Sequence, residues 1–518
     1  MGIIIKNNQM KELTMPISFL KKYSYYITLI LFISFAPYFV FYNHNFEQIT
    51  FNKTIQPLML LSLLVLFTFV ILYFLINIFP KYYKLIFASS IIFLIFIVNF
   101  DYIYIDLIKK ELWVDPDFNP KLMLIFIYLL SVFIFLNLLK IKFLKIFFLF
   151  YSIFMLVIPA LELSLKSINN SETDIQNKPK AEDFLAERKD AINDKSILKE
   201  NVYFILLDGY ASKKTFSRMS FNNDNFYKYL EKSNFKNLGD NAAYNKTYLA
   251  LGGIFNLSYP FVDGDAYNNR MSFFPDSLNN NKKPPLIEEL DNLQYEFIFY
   301  GNFWSGCLFR HAKCGNPPKV FLTYESIIFF SRTLLNGYFF KNGLQYDAIS
   351  SFLKKDKKIK IQDSKFHFFH HLSPHPPYLK NDCRTVNSKS LKSWEPLEDY
   401  LVTVNCVNSL VMELISYLDK NDPSAIIIIQ SDHGPRTISS NLFQATDFDG
   451  DVYLDNEISI LNTIKSPKKC DKWLKNNLGP INTIKFILGC LKQEEPIYLE
   501  EKTFIGDTED FGNIKEFN

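Results

Sequence analysis

No cysteine occurs before Cys307, and none of the six cysteines forms a C-x-x-C pair. The missing pair argues against a structural zinc site. The uneven placement is informative too, because Cys307, Cys314, Cys383, Cys406, Cys470 and Cys490 all lie in the C-terminal part, and an even number there suggests disulfides in an exported domain. Sequence neighbours would pair 307 with 314, 383 with 406 and 470 with 490, although spacing alone leaves other connectivities open. Charge of one sign is also scarce: 56 Lys and Arg against 53 Asp and Glu give +3. With no basic run interleaved with aromatics outside the short loops between apolar segments, a nucleic-acid partner is not expected. No internal repeat is visible. No small-residue cleavage site follows the first apolar run and four more such runs come after it, so that run does not read as a signal peptide.

What is present is apolar and aromatic, and it is concentrated in the first third. Five runs, over residues 23–42, 57–79, 85–100, 122–139 and 146–161, stand out. A helix rising ~1.5 Å per residue needs about 20 residues to cross a bilayer. The third and fifth runs are shorter and require Asp101, Lys145 or Glu162 to lie at the lipid interface. Lys6, Lys11, Lys21 and Lys22 precede the first run, Lys81 and Lys84 fill the second loop, and Lys140, Lys142 and Lys145 fill the fourth. The first and third loops dilute their lysines with acids, so the alternation places the N-terminus in the cytoplasm. Five spans then put everything after Glu162 outside. The expected organisation is a transmembrane domain over 1–165, a polar linker over 166–200 with a short helix at 181–191, and an extracytoplasmic domain over 201–518.

The exported part opens with "VYFILL" at 202–207, whose length and β-branched and aromatic content suit a central strand. Residues 395–420 carry the helical period, with Leu397, Tyr400, Leu401, Val404, Val407, Val411, Leu414, Ile415 and Leu418 on one face. Asp422 and Pro423 break that helix, and "AIIIIQ" follows as a strand buried on both faces. Strand, amphipathic helix and doubly buried strand are the parts of an α/β domain with a mainly parallel central sheet.

Ligands of such sheets bind beyond the carboxyl ends of the strands. Here two strands end in acids, at Asp208-Gly209 and at Ser431-Asp432-His433-Gly434. A lone Asp-Gly at a strand end is often no more than a turn. Asp432 and His433 together are costly to hold near a buried strand end without a partner, and they suit a divalent ion. "HFFHHLSPHPPYL" holds four of the seven histidines, His367, His370, His371 and His375. Their density suggests phosphate contact, proton transfer or a further metal ligand. His367 is expected to be structural, whereas prolines on either side fix the backbone around His375. Thr247 is a candidate nucleophile, though by itself it reads as a cap residue or as part of the sequon Asn245-Lys246-Thr247.

In this order, strand-Asp-Gly, a threonine some forty residues on, a His-Pro-Pro-Tyr segment, a helix, strand-Ser-Asp-His-Gly and finally "GPINTIKFIL", the motifs resemble the membrane-anchored, sulfatase-like transferases of the alkaline phosphatase superfamily. That group includes lipoteichoic acid synthases and lipid A phosphoethanolamine transferases, with five spans and an extracytoplasmic catalytic domain. The resemblance implies Asp208, Thr247, Asp432 and His433 as metal ligands, Thr247 also as nucleophile, His375 as the catalytic contact to phosphate or leaving group, and His371, His375 and Arg436 as substrate contacts. It implies one divalent ion (Mn, Zn or Mg), a membrane phospholipid donor of the phosphoethanolamine or phosphoglycerol type, an envelope glycan or lipid acceptor, a phosphothreonine intermediate and a monomer in the inner (cytoplasmic) membrane. Two departures sharpen it. The formylglycine signature of true sulfatases is absent around Thr247, and Asp208-Gly209 stands where two-metal members have paired aspartates. Alternatives are a phosphodiesterase with water as acceptor and a catalytically inactive membrane-anchored binding protein.

Overall fold

A computed structural model describes residues 17–44, 51–98, 120–177, 197–262, 278, 282–301, 309–315, 326, 329–330, 348–355, 364–376, 378–384, 394, 396–436, 450–506 and 514–517. The chain divides into two compact units, Met1–Gln176 with Glu325–Phe339, and Asn177–Tyr324 with Phe340–Asn518.

The first unit is helical: Ile17–Lys22, Ser24–His44, Phe51–Ile78, Tyr83–Val98, Pro120–Leu138 and Lys142–Asn177. The last five coincide with the five apolar runs. Four segments, Ser24–Asn43, Ile55–Ile78, Pro80–Ile97 and Lys142–Leu165, are long and apolar enough to cross a bilayer, and Leu124–Leu138 is a shorter apolar helix. Leu29, Leu72, Phe87 and Ile91 pack inside, while Leu66 is 58% and Phe133 64% exposed. Helices apolar on both their inner and outer sides need an apolar surrounding. Glu162 accepts a hydrogen bond from Asn43 Nδ2 at 2.5 Å, and Lys145 Nζ lies over the Tyr25 ring at 4.6 Å. Asp101 lies outside the described residues.

Two boundaries differ from the sequence reading. The last helix continues to Asn177, into the stretch read as linker, because nothing in "KSINNSETDIQN" forces a stop. The short helix expected at 181–191 lies outside the described residues. Glu325–Phe339, far along the chain, groups with the first unit: Phe329 and Phe330 pack with Tyr38 and Leu61, and Ser326 Oγ donates to Gln56 Oε1 at 2.8 Å.

The second unit is built on a seven-stranded sheet. Its strands are β1 (Val202–Leu207), β2 (Lys236–Asn237), β3 (Glu296–Tyr300), β4 (Lys313–Cys314), β5 (Lys365–His371), β6 (Ile426–Gln430) and β7 (Asn462–Lys465), in the order β2-β7-β6-β1-β5-β3-β4. The five strands from β6 to β4 are parallel, whereas β7 runs antiparallel to β6. Strands β8 (Thr503–Gly506) and β9 (Ile514–Phe517) form a separate antiparallel pair. The apolar runs are continuous because alternate side chains enter two different cores. Val202, Phe204, Leu206, Ile426 and Ile428 join one, beside the helices Thr247–Asn256, Pro285–Asn292 and Pro480–Lys492. Tyr203, Ile205, Leu207, Ile427 and Ile429 join the other, under Leu397–Asn421. Each such side chain contributes roughly 1.5–3 kcal/mol on burial. Leu397–Asn421 is also long and apolar enough to span a membrane. Its Tyr400, Val404, Val407, Val411, Leu414 and Leu418 instead face the sheet, as the period predicts.

Two of the neighbour disulfides are present, Cys383–Cys406 and Cys470–Cys490. Cys314 is disulfide-bonded, and Cys307 lies outside the described residues.

Candidate active site and metal centre

Strands β5, β1 and β6 are adjacent and parallel, and their register pairs Leu207 with His371 and Leu206 with Gln430. The residues that follow therefore meet at one sheet edge. Asp208 N donates to the His371 carbonyl, and the Asp208 carbonyl accepts from His375 N, both at 3.0 Å. The chain then turns at Gly209, whose φ of +69° is in the left-handed region that glycine enters without strain. Gly209 N donates to Asp432 Oδ1 at 3.1 Å, and Tyr210 N donates to Ser431 Oγ at 2.9 Å. Main-chain donors thus fix both acidic strand ends.

His433 Nδ1 lies 2.7 Å from the Gly434 carbonyl. A carbonyl only accepts, so Nδ1 carries the proton and Nε2 keeps its lone pair. That lone pair lies 3.2 Å from Thr247 Oγ1, 3.7 Å from Asp208 Oδ1 and 3.6 Å from Asp432 Oδ2. Asp208, Asp432 and His433 offer ligand atoms within 4.8 Å of one another, and all three residues are buried. Among the described residues, Asp208 Oδ1 and Asp432 Oδ2 have no hydrogen-bond partner. Buried carboxylate oxygens without donors are costly. Two of them, an imidazole lone pair and a hydroxyl make an oxygen and nitrogen donor set that fits one divalent cation. Thr247 starts the buried helix Thr247–Asn256, so its hydroxyl sits at the positive end of that helix. The structure brings together all four residues expected to hold the ion.

The titration behaviour follows from the same burial. Burial first, then the Asp432 charge, pushes the Asp208 carboxyl up to about 8, with His375 and Arg436 opposing. Burial and then Arg436 hold the His433 imidazole well below its ordinary value. Burial lowers His370 to about 4, and its Nε2 lies 3.4 Å from Asp208 Oδ2. His370 therefore stands behind Asp208, a position not singled out for it within the histidine cluster.

The other histidines separate. His367 stacks on Tyr203 at 4.6 Å and meets the Tyr300 hydroxyl at 3.0 Å through Nδ1, so it is structural as expected. His371 is buried at the end of β5 and reaches the site through its carbonyl. His375 is half-buried, with Nδ1 2.6 Å from the Pro376 carbonyl and its ring 4.8 Å edge-on to Trp394. Trp394 also lies 6.1 Å from the His433 ring, and a Cβ on Gly209 would meet its indole at 2.4 Å. Trp394 thus covers the site, unsignalled by any motif.

Arg436 is held by the protein itself. One terminal nitrogen donates to the Asn245 carbonyl at 2.7 Å, and Nε lies 2.6 Å from Glu457 Oε1. Glu457, fully buried, also takes Lys246 Nζ at 3.2 Å and Asn245 Nδ2 at 3.1 Å. Burial works to raise the Glu457 pKa, but Arg436 and Lys246 outweigh it and hold the carboxyl below its usual range. Lys246 lies next to Thr247 in the chain, yet in the sequence it reads only as the middle of a sequon, and Glu457 belongs to no motif.

Residues 221–457 match the sulfatase family model, a stretch that includes Thr247, His375, Asp432 and His433. A comparison with curated proteins gave no match. Among solved structures, the chain is similar to the C-terminal periplasmic domain of EptC from Escherichia coli, with 11% identity over 63% of this chain and 94% of that one and a TM-score of 0.38. It is also similar to the integral membrane lipooligosaccharide phosphoethanolamine transferase EptA from Neisseria meningitidis, at 12% identity, 90% and 95% coverage and a TM-score of 0.37. The lipoteichoic acid synthase LtaP from Listeria monocytogenes gives 10% identity, 63% and 83% coverage and a TM-score of 0.36. Over residues 221–457 the chain is thus similar to the sulfatase family.

Proposed function

We propose that this protein moves a phosphorylated headgroup from a membrane phospholipid to a hydroxyl of an envelope glycan or lipid, through a phosphothreonine at Thr247. The observation that carries the reading is the Thr247 hydroxyl, placed at a helix start 3.2 Å from His433 Nε2 and among unpaired carboxylate oxygens. Asp208, Thr247, Asp432 and His433 would hold one divalent ion, which supplies a lowered hydroxyl pKa and charge compensation for phosphoryl oxygens. Thr247 Oγ1, its proton lost to water, attacks phosphorus in line with the bond to the lipid oxygen. His375 has Nδ1 engaged by Pro376 and so presents Nε2, the atom suited to carry a proton to the departing lipid alcohol. An acceptor hydroxyl then attacks the phosphothreonine and gives its proton to His375 Nε2, restoring the imidazolium, while the Thr247 oxygen leaves and regains a proton from water. Lys246 and Arg436 share the single carboxylate of Glu457, so once Asp208 and Asp432 are offset by a divalent ion, the one surplus positive charge of that cluster favours the phosphoryl oxygens.

The five apolar helices would keep the enzyme in the cytoplasmic membrane, where its donor resides, with the N-terminus inside and the sheet domain outside. Full-length protein incubated with phosphatidylethanolamine or phosphatidylglycerol should gain the mass of one phosphorylated headgroup on the peptide containing Thr247. Thr247→Ala should abolish that adduct and lower turnover by at least about 10³-fold. Wild-type turnover in Thr247→Ala would reject the mechanism.

A further inference from the structure

The helical unit holds a partly open groove of about 1140 Å³. Its wall comes from four of the five long helices and from the later segment, represented by Ile33, Ile92, Phe135, Tyr151, Met155 and Phe329. Phe329 lies against it, with its ring 5.4 Å from Phe41 and 6.2 Å from Tyr38. One polar group in the wall is already satisfied, since the Ser152 hydroxyl donates to the Leu149 carbonyl of its own helix at 2.8 Å.

Ligand pockets in proteins usually measure about 300–1,000 Å³, so this one is large enough for a substantial apolar molecule. Water gains too few hydrogen bonds in so apolar a space to fill it. Left vacant, a void costs stability in proportion to its volume, because its lining atoms lose their dispersion partners. The medium around apolar helices offers one abundant molecule of matching chemistry, the hydrocarbon chain of a membrane lipid. A boundary lipid would lie against outward side chains such as Leu66 and Phe67, which are 58% and 63% exposed. Here four helices and Phe329 line a recess between them instead.

We infer that this groove is a binding site for the acyl chains of a diacyl phospholipid. The identification of that phospholipid with the donor rests on the function proposed above; the binding itself does not. Phe329 is the contribution that the membrane helices alone cannot make, and it closes the wall from a segment encoded between β4 and β5.

The test uses full-length protein in phospholipid nanodiscs containing a phosphatidylethanolamine with a diazirine on one acyl chain. After irradiation, labelled residues are mapped by mass spectrometry. Labelling is expected on wall residues such as Ile92, Tyr151 and Met155 above the level on Leu66 and Phe67. Ala36→Phe, which places a ring in the groove, should reduce the wall labelling several-fold, Ser131→Leu should give a smaller loss, and Leu66→Trp should leave it unchanged. If the phospholipid is the donor, Ala36→Phe should also raise KM for it while leaving kcat/KM unchanged for a water-soluble headgroup phosphodiester without acyl chains. Labelling no stronger on the wall than on the outer surface, or indifferent to both filling variants, would overturn the site. Equal labelling by a single-chain fatty-acid probe would overturn the assignment to a phospholipid. Wall labelling in a protein that transfers no headgroup would uphold the site and reject only the donor role.

Discussion

Glu457 has no exposed surface and is nevertheless surrounded by groups that favour its charge: Lys246 Nζ at 3.2 Å, Arg436 Nε at 2.6 Å and Asn245 Nδ2 at 3.1 Å. Removing one member of a buried ion cluster leaves the others uncompensated, which costs more than the cluster itself contributes. Glu457→Gln is therefore expected to lower unfolding free energy by about 3 kcal/mol at neutral pH. The pH dependence has a definite sign. The folded pKa is depressed below the ordinary 4.5, so the stabilisation is fully present above 4.5 and is lost as pH falls through the lower folded value. The gap between wild type and Glu457→Gln should therefore be largest at neutral pH and shrink in acid. Denaturant midpoints of the purified full-length protein at pH 7 and in acid measure this, and coincident midpoints at pH 7 would reject it. Asp432, His433 and Thr247 were legible in the sequence because each stood in a motif or beside one. Glu457 and Lys246 were not, since their roles depend on a contact across 211 residues.

The ends of β1 and β6 were legible as elements for a simple reason: a strand buried on both faces must be apolar throughout, so the first polar residues mark where it emerges. The role of Gly434 was only half legible. A glycine follows the acidic strand end in both motifs, yet Gly209 adopts a positive φ and Gly434 does not. Its requirement is proximity. A Cβ there would lie 1.9 Å from the Asn456 carbonyl oxygen and 2.7 Å from that of Ser459, both backbone atoms at the end of the helix Gly450–Ile458. Backbone cannot swing aside as a side chain does. Gly434→Ala must push the helix end, which carries Glu457, away from the Asp432-His433 turn. The expected result is a loss of about 1–3 kcal/mol in stability from overpacking. Affinity for Mn²⁺ or Zn²⁺ should also fall, by at least about tenfold, the scale seen when supports of metal ligands are disturbed. Isothermal titration with each metal would show it, and wild-type affinity in Gly434→Ala would mean that the turn tolerates the displacement.

At the scale of the whole molecule, the sequence predicts five apolar helices followed by an α/β domain, and both are present, with four of the five helices long and apolar enough to cross a bilayer. It did not show that Glu325–Phe339 groups with the helices, because a short apolar segment reads alike whether it packs on a sheet or among spans. The cysteines carry a sharper prediction. Cys383–Cys406 and Cys470–Cys490 span 23 and 20 residues, so loop closure alone would make each worth about 3 kcal/mol and the two nearly equal. Their surroundings differ. Cys383 is exposed, whereas Cys470 and Cys490 have no exposed surface and belong to the core beside β1, joining Lys468–Trp473 to the helix Pro480–Lys492. Replacing the buried pair by serine adds two hydroxyls to an apolar core, each costing about 1–3 kcal/mol if left without a partner. Cys470→Ser/Cys490→Ser should therefore lower the denaturation midpoint clearly more than Cys383→Ser/Cys406→Ser, and the excess should shrink when alanine replaces serine. Equal midpoints for the two serine pairs would mean that loop closure, not burial, sets the contribution of each bridge.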